Sequence, residues 1–187
     1  MTALSATQIK KPQDWQAFER ASTVLRRCIL ADDALHRFGR GGQAQHGLDL
    51  TGYRNSDPNK LIGVQCKCIG QDGELDEATI RSDLSKAAAY YPPIVEYVIT
   101  TTAENDKNLD QLAHKLTREY LDNGRKLIVR VWGWGTLEER IREHPKAINA
   151  TLVTALSQQL AANVEADKGS KSTTVSIIRD LNLQSLE

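Results

Sequence analysis

Leu61-Ile62-Gly63-Val64-Gln65-Cys66-Lys67-Cys68 alternates with a period of two. Ile62, Val64, Cys66 and Cys68 fall on one side of an extended segment, and Gly63, Gln65 and Lys67 on the other. The first side is the expected core face, and the second is expected to lie off the core. Just upstream, Gly47-Leu48-Asp49-Leu50-Thr51-Gly52-Tyr53 reads as a partner strand, with the Asp49 carboxylate turned away from Leu48 and Leu50. The polar run Asn55-Ser56-Asp57-Pro58-Asn59 supplies the turn of a hairpin.

Elsewhere the period is helical. Behind Pro12, the positions Trp15, Phe18, Ser22, Leu25 and Ile29 mark a helix running through Leu30, with Glu19 at the flank of the apolar stripe. Ile80, Leu84, Ala87 and Ala88 mark a helix over 76–91 that Pro92-Pro93 ends, and Leu109, Leu112, Leu116 and Tyr120 mark another that Asn123-Gly124 closes. Between them, Ile94 to Thr101 is dense in β-branched residues and predicts a central strand, and Leu127 to Trp132 predicts a further buried one. The capping-box spacing of Thr136-Leu137-Glu138-Glu139 predicts a short helix stopped by His144-Pro145. Trp132 and Trp134 are expected to pack the sheet edge.

The order helix, hairpin, helix, strand, helix, strand predicts an α/β fold, a mixed central sheet with helices on both faces. Residues 1–145 form the expected domain, of which residues 1–10 are a polar stretch. The remainder, 146–187, reads as a helix over 146–164, a linker from Asp167 to Thr174 and an apolar-rich end. Such a tail suits a contact between copies of the chain or a junction to a further module.

Composition changes this picture little. At 187 residues, 40% hydrophobic and 26% charged, the chain can bury a core without a staple. No apolar run approaches the ~20 residues that span a bilayer, and the first residues lack an export signal, so no membrane partner and a cytoplasmic location are expected. Cys28, Cys66 and Cys68 are odd in number, and a C-x-C without a second pair is poor zinc evidence; reduced, structural thiols are expected. The formal net charge is zero but unevenly spread. Residues 1–70 carry ten Lys or Arg against six Asp or Glu, which favours phosphate contact in the half that holds the hairpin.

Pairing across the hairpin turn would bring the Asp49 carboxylate, the Gln65 amide and the Lys67 ammonium to one end of the two strands. That set suits metal-assisted attack on a phosphate. The Gly39-Arg40-Gly41-Gly42 cluster is followed by no Gly-Lys-Ser/Thr and is expected to be a turn, with Arg37 and Arg40 available as phosphate clamps. His36, His46, His114 and His144 have no metal-ligand spacing; His46 reads as a turn residue or a substrate contact.

Gly47-Leu48-Asp49, a strand-turn-strand gap and Gln65-Cys66-Lys67 together resemble the PD-(D/E)xK nuclease motif in its Q-x-K form, closest to Mrr-like restriction endonucleases and the nuclease effector domains of bacterial anti-phage systems. Trp15-Gln16-Ala17-Phe18-Glu19, the approach Gly41 to Gly47 and Trp132-Gly133-Trp134 extend the likeness over residues 10–145. The resemblance implies a restriction-endonuclease-like fold and metal-dependent hydrolysis of double-stranded DNA in antiviral defence.

It also implies Mg²⁺, with Mn²⁺ able to substitute, held by Asp49, the Gln65 side-chain oxygen and the Cys66 backbone carbonyl. Glu19 is then an inner or outer ligand; without the family it reads as a boundary glutamate paired with Arg26 or a lysine. Lys67 would orient or deprotonate the attacking water or stabilise the phosphorane. Arg37, Arg40, Gln45, His46 and Lys60 are the expected DNA contacts, and a homo-oligomer or a fused sensor module the expected assembly. An amide where relatives carry a carboxylate lowers the site's charge, so weak metal binding without DNA is expected. Two other readings stand beside this one: a non-catalytic nucleic-acid-binding or assembly module, and an interaction domain in which Asp49 and Lys67 simply pair.

Overall fold

The computed structural model describes residues 9–12, 14–39, 46–70, 73–144 and 146–149. Among the described residues four helices, α1 (Trp15–Leu30), α2 (Glu77–Ala88), α3 (Lys107–Asp122) and α4 (Trp134–Glu143), flank five strands, β1 (His36–Arg37), β2 (Leu50–Tyr53), β3 (Leu61–Lys67), β4 (Glu96–Thr101) and β5 (Ile128–Trp132). The strands lie in one sheet in the order in which they occur. β1, β2 and β3 form an antiparallel meander with Leu50 opposite Val64 and Tyr53 opposite Leu61, whereas β3, β4 and β5 run parallel. Helices α2 and α3 are the crossovers that parallel pairing requires.

Alternation along the strands builds a core on each side of this sheet. On one side Leu50, Ile62, Val64 and Val98 meet Leu30 and Leu35, and Phe18 and Leu25 of α1 meet Trp134, Leu137 and Ile141 of α4. On the other side Leu61, Tyr97, Ile99 and Val129 meet Ile80 and Leu84 of α2 and Leu112 and Leu116 of α3. Each fully buried aliphatic side chain contributes roughly 1.5–3 kcal/mol. The expected mixed sheet with helices on both faces is what forms.

β3 departs from its expected half-solvated state. It lies between two strands and between two helical layers, and Gly63 and Gln65 are buried along with Ile62 and Val64. A Cβ at Gly63 would stand 2.5 Å from a Leu48 methyl, so the missing side chain is what lets Leu48 and Ile94 close over the strand.

Other differences concern edges and caps. Trp15 begins α1 but stands 55% exposed, outside the core stripe. β5 is an edge strand with Ile128 43% exposed, so it is less buried than its composition suggests. The two-residue β1 is too short to leave a pattern in sequence. Asp14, Asp76 and Asp106 cap α1, α2 and α3 by accepting from Ala17, Thr79 and Asn108 backbone N–H groups. α4 starts at Trp134, two residues before the expected Thr136 cap, and Asn105 from the loop between β4 and α3 accepts from the Thr136 N–H at 3.2 Å. Residues 146–149 are helical, and the rest of the expected C-terminal helix, linker and tail lies outside the described residues.

Two glycines with positive φ separate strain from crowding. Gly124 (φ +75°) follows α3 in open space, whereas Gly47 (φ +69°) lies so close to α2 that a Cβ would stand 2.5 Å from the Asp83 carbonyl oxygen. Gly124→Ala is expected to cost about 1–2 kcal/mol from left-handed backbone alone. Gly47→Ala is expected to exceed it, to about 3 kcal/mol or more, because backbone must also shift. Urea unfolding of both variants checks the order, and equal losses would show that α2 yields freely.

Candidate active site

Asp49 precedes β2, and its backbone N–H donates to the Val64 carbonyl at 2.8 Å, which registers it against the far end of β3 from the hairpin turn. Its Oδ2 accepts two hydrogen bonds at 2.6 Å, from the Gln65 side-chain amide and the Cys66 backbone N–H. Among the described residues its Oδ1 has no hydrogen-bond partner. Asp49 is 7% exposed and Gln65 9%. A carboxylate offers only acceptors, so the Gln65 nitrogen faces it and the amide oxygen is left for another donor or a cation.

Lys67, two residues further along the same side of β3, reaches α2 and pairs with Asp83 Oδ2 at 2.5 Å. Lys86, one turn on, approaches Asp83 Oδ1 at 3.3 Å. The simple Asp49–Lys67 pair of the interaction-domain reading is therefore corrected: the lysine's carboxylate partner is on α2. Glu19 is buried on α1 and its carboxylate pairs with Arg37 of β1, which stands opposite Leu50 and so beside Asp49. Glu19 is thus neither an exposed boundary residue nor a partner of Arg26. Arg26 is fully buried, stacked 3.8 Å from the Trp132 ring centroid, and burial pushes its guanidinium down to about 9.

Burial also raises the Asp49 carboxyl, to about 6, against the lowering effect of the Cys66 N–H; the charges of Glu19 and Asp83 add to the rise and Lys67 opposes it. The Cys66 thiol is pushed up to about 12 by burial, with Asp49 adding to the effect and hydrogen bonds to Thr100 and Ser22 opposing it. All three cysteines are free, as expected, and Cys66 faces the core as a neutral thiol rather than a reactive one.

The remaining expected contacts divide. His46 (φ +50°) adjoins Gly47 at the site end, with its ring 6.4 Å from that of Tyr90. Lys60 sits at the hairpin turn, the opposite end of β3, where it pairs with Asp57 at 3.1 Å. It does not join the cluster. Arg40 and Gln45 lie outside the described residues. Trp134 is buried and Trp132 packs on Arg26, so both tryptophans serve the fold.

Asp83 went unnoticed in the sequence. Its signal was present: three residues after Ile80 and next to Leu84, it lies on the flank of the buried stripe of α2 and so faces the sheet margin.

The cluster opens at the carboxyl ends of the parallel strands, where open α/β sheets commonly hold ligands. Beyond Lys67 a cleft of about 1340 Å³ is lined by Cys68, Ile69, Thr102, Asn105 and the exposed Trp15. Its walls carry Asp14, Glu74, Glu104 and Asp106 against Lys11 and Lys107, a balance that does not suit a phosphate track. Among the described residues no group of three His, Cys, Asp or Glu side chains is arranged to hold a metal, and no helix is long and apolar enough to cross a membrane. Comparison with protein-family models, curated proteins and solved structures gives no match.

The raised Asp49 carboxyl has a measurable consequence. The folded protein binds this proton more tightly than the unfolded chain, so the group favours folding in acid and that contribution is lost as pH rises from about 4 through about 6. Relative to Asp49→Asn, wild-type stability is expected to fall by on the order of 3 kcal/mol between pH 4 and 7. Urea unfolding across that range measures it, and a pH-independent difference would show that Asp49 ionises normally.

Proposed function

We propose that the chain is a metal-dependent endonuclease of restriction-endonuclease-like fold, acting on double-stranded DNA, with Asp49, Gln65 and Lys67 as its reacting-site residues. The observation that carries this reading is the joint placement of the three on the open end of one antiparallel hairpin, with Asp49 and Gln65 in direct contact. The element order, one helix, a three-stranded meander, a helix and a parallel strand, supports the same fold.

The donor set fits a hard cation of modest affinity. Asp49 Oδ1, without a hydrogen-bond partner among the described residues, the Gln65 amide oxygen and the Cys66 backbone carbonyl are oxygen donors of the kind Mg²⁺ or Mn²⁺ prefers, and water and substrate phosphate complete such a shell. Bound there, the ion would polarise the phosphate and supply a water of lowered pKa. The two N–H donors on Oδ2 fix the direction in which Oδ1 points. Glu19, being paired, fits as the residue that orients Arg37 rather than as a ligand, and Arg37 is then the phosphate clamp. Lys67 brings a positive charge to the same patch, where charge builds on a phosphate under attack.

Burial of Asp49 without a cation of its own is the feature that favours this reading over a purely structural one. A buried carboxylate whose contacts are neutral N–H donors can accept a cation, whereas one already closed in an ion pair, as Asp83 is with Lys67, is less free to do so. A role in anti-phage or restriction defence is the setting the motif resemblance suggests, with homo-oligomers or a further module as partners.

Plasmid DNA incubated with the protein and Mg²⁺ or Mn²⁺ is expected to be nicked or linearised, and EDTA is expected to abolish this. Asp49→Ala and Lys67→Ala, each checked for folding, should lose at least about 100-fold in rate. Cleavage that survives both substitutions would place the activity elsewhere. DNA binding by the wild type with no cleavage under any of these metals would favour the non-catalytic binding module.

A further inference from the structure

We propose that Asp83 is the positioning residue for Lys67, an inference that rests on the nuclease reading. Lys67 is the last residue of β3, with a long side chain that loses substantial rotamer freedom if it is to be held in one place. Its ammonium forms an ion pair with Asp83 Oδ2 at 2.5 Å, without the alignment of a hydrogen bond, while Lys86 approaches Oδ1 of the same carboxylate at 3.3 Å. The Asp83 side chain is 13% exposed, so this ion pair is shielded on the protein side and less screened than a surface pair.

A second contact ties the same residue to the other half of the site. The Gly47 backbone packs directly on the Asp83 carbonyl, and the Gly47 carbonyl accepts from the Tyr97 hydroxyl at 3.0 Å. Gly47 lies two residues before Asp49. One position on α2 therefore sets both where Lys67 ends and where the chain enters the Asp49 segment. An ion pair of this kind fixes where the ammonium lies, which fits charge stabilisation of the phosphorane or orientation of the attacking water.

The alternative role for Asp83, a third oxygen ligand compensating for the amide of Gln65, makes a different prediction. A positioning residue changes the rate at saturating metal; a ligand changes the metal concentration needed. Single-turnover plasmid cleavage is measured at a series of Mn²⁺ concentrations for wild type, Asp83→Asn, Asp83→Glu, Lys67→Ala and the double variant Asp83→Asn/Lys67→Ala.

Asp83→Asn is expected to lose about 100-fold in rate with an unchanged Mn²⁺ half-saturation, the scale of a misplaced catalytic group. Asp83→Glu, which keeps the charge, is expected to recover most of that loss. The double variant is expected to match Lys67→Ala within about twofold, because Asp83 acts through Lys67. Losses that multiply in the double variant, or a shift of Mn²⁺ half-saturation in Asp83→Asn, would overturn the positioning role. Wild-type cleavage matched by a folded Asp83→Asn would overturn it while leaving the nuclease reading intact. Absence of cleavage by the wild type would overturn both together.

Discussion

Burial of β3 on both faces is the constraint from which the site follows. A strand at the centre of a sheet and between two helical layers has no water to satisfy its polar side chains, and each buried polar group left unpaired costs about 1–3 kcal/mol. Gln65 is nonetheless there, and neighbours from two strands answer it. Asp49 from the segment entering β2 takes its amide N–H, and Thr100 of β4 donates to its backbone carbonyl at 3.2 Å. At the strand's end, α2 supplies Asp83 to Lys67. The polar end of β3 is thus a network built by elements on each side of it, and a network of this kind is specific because no member can leave without stranding another.

Charge within that network is distributed unequally. Glu19 has Arg37, and Asp83 has Lys67 and Lys86. Asp49 has only neutral N–H donors, and among the described residues it makes no ion pair. Desolvation then outweighs hydrogen bonding, and its carboxyl rises to about 6. The least compensated carboxylate of the cluster is the one at its centre, which is where a proton or a divalent cation is most strongly favoured. The three carboxylates repel one another across the site, and the cations provided by the fold go to the outer two.

Much of the architecture was legible in the chain. The helical periods of Phe18, Leu25, Ile80, Leu84, Leu112 and Leu116 and the β-branched run before Thr101 each report a burial pattern that local geometry repeats at a fixed interval. The misread positions share a cause. Trp15 and Ile128 are apolar but exposed, and Gly63 and Gln65 lie on the polar side of the alternation but are buried, because period alone does not say how many layers cover an element. The cap on α4 comes from Asn105, about thirty residues upstream, at a range no capping box describes.

The sequence by itself determined the elements and the alternation that puts Gln65 and Lys67 on one side of β3, since both depend on dihedral preferences and periods that neighbouring residues carry. Leu48 and Leu50, expected to share a face, are buried on opposite sides of the sheet, so the direction of Asp49 came from its hydrogen bonds to Gln65 and Cys66. Only the tertiary structure decided the partners. Arg37 rather than Arg26 meets Glu19, Asp83 rather than Asp49 meets Lys67, and Lys60 falls at the far end of the strand. Ion pairs and hydrogen bonds act over a few ångströms between residues far apart in the chain, so they exist only once the sheet is assembled and α2 has docked against Gly47.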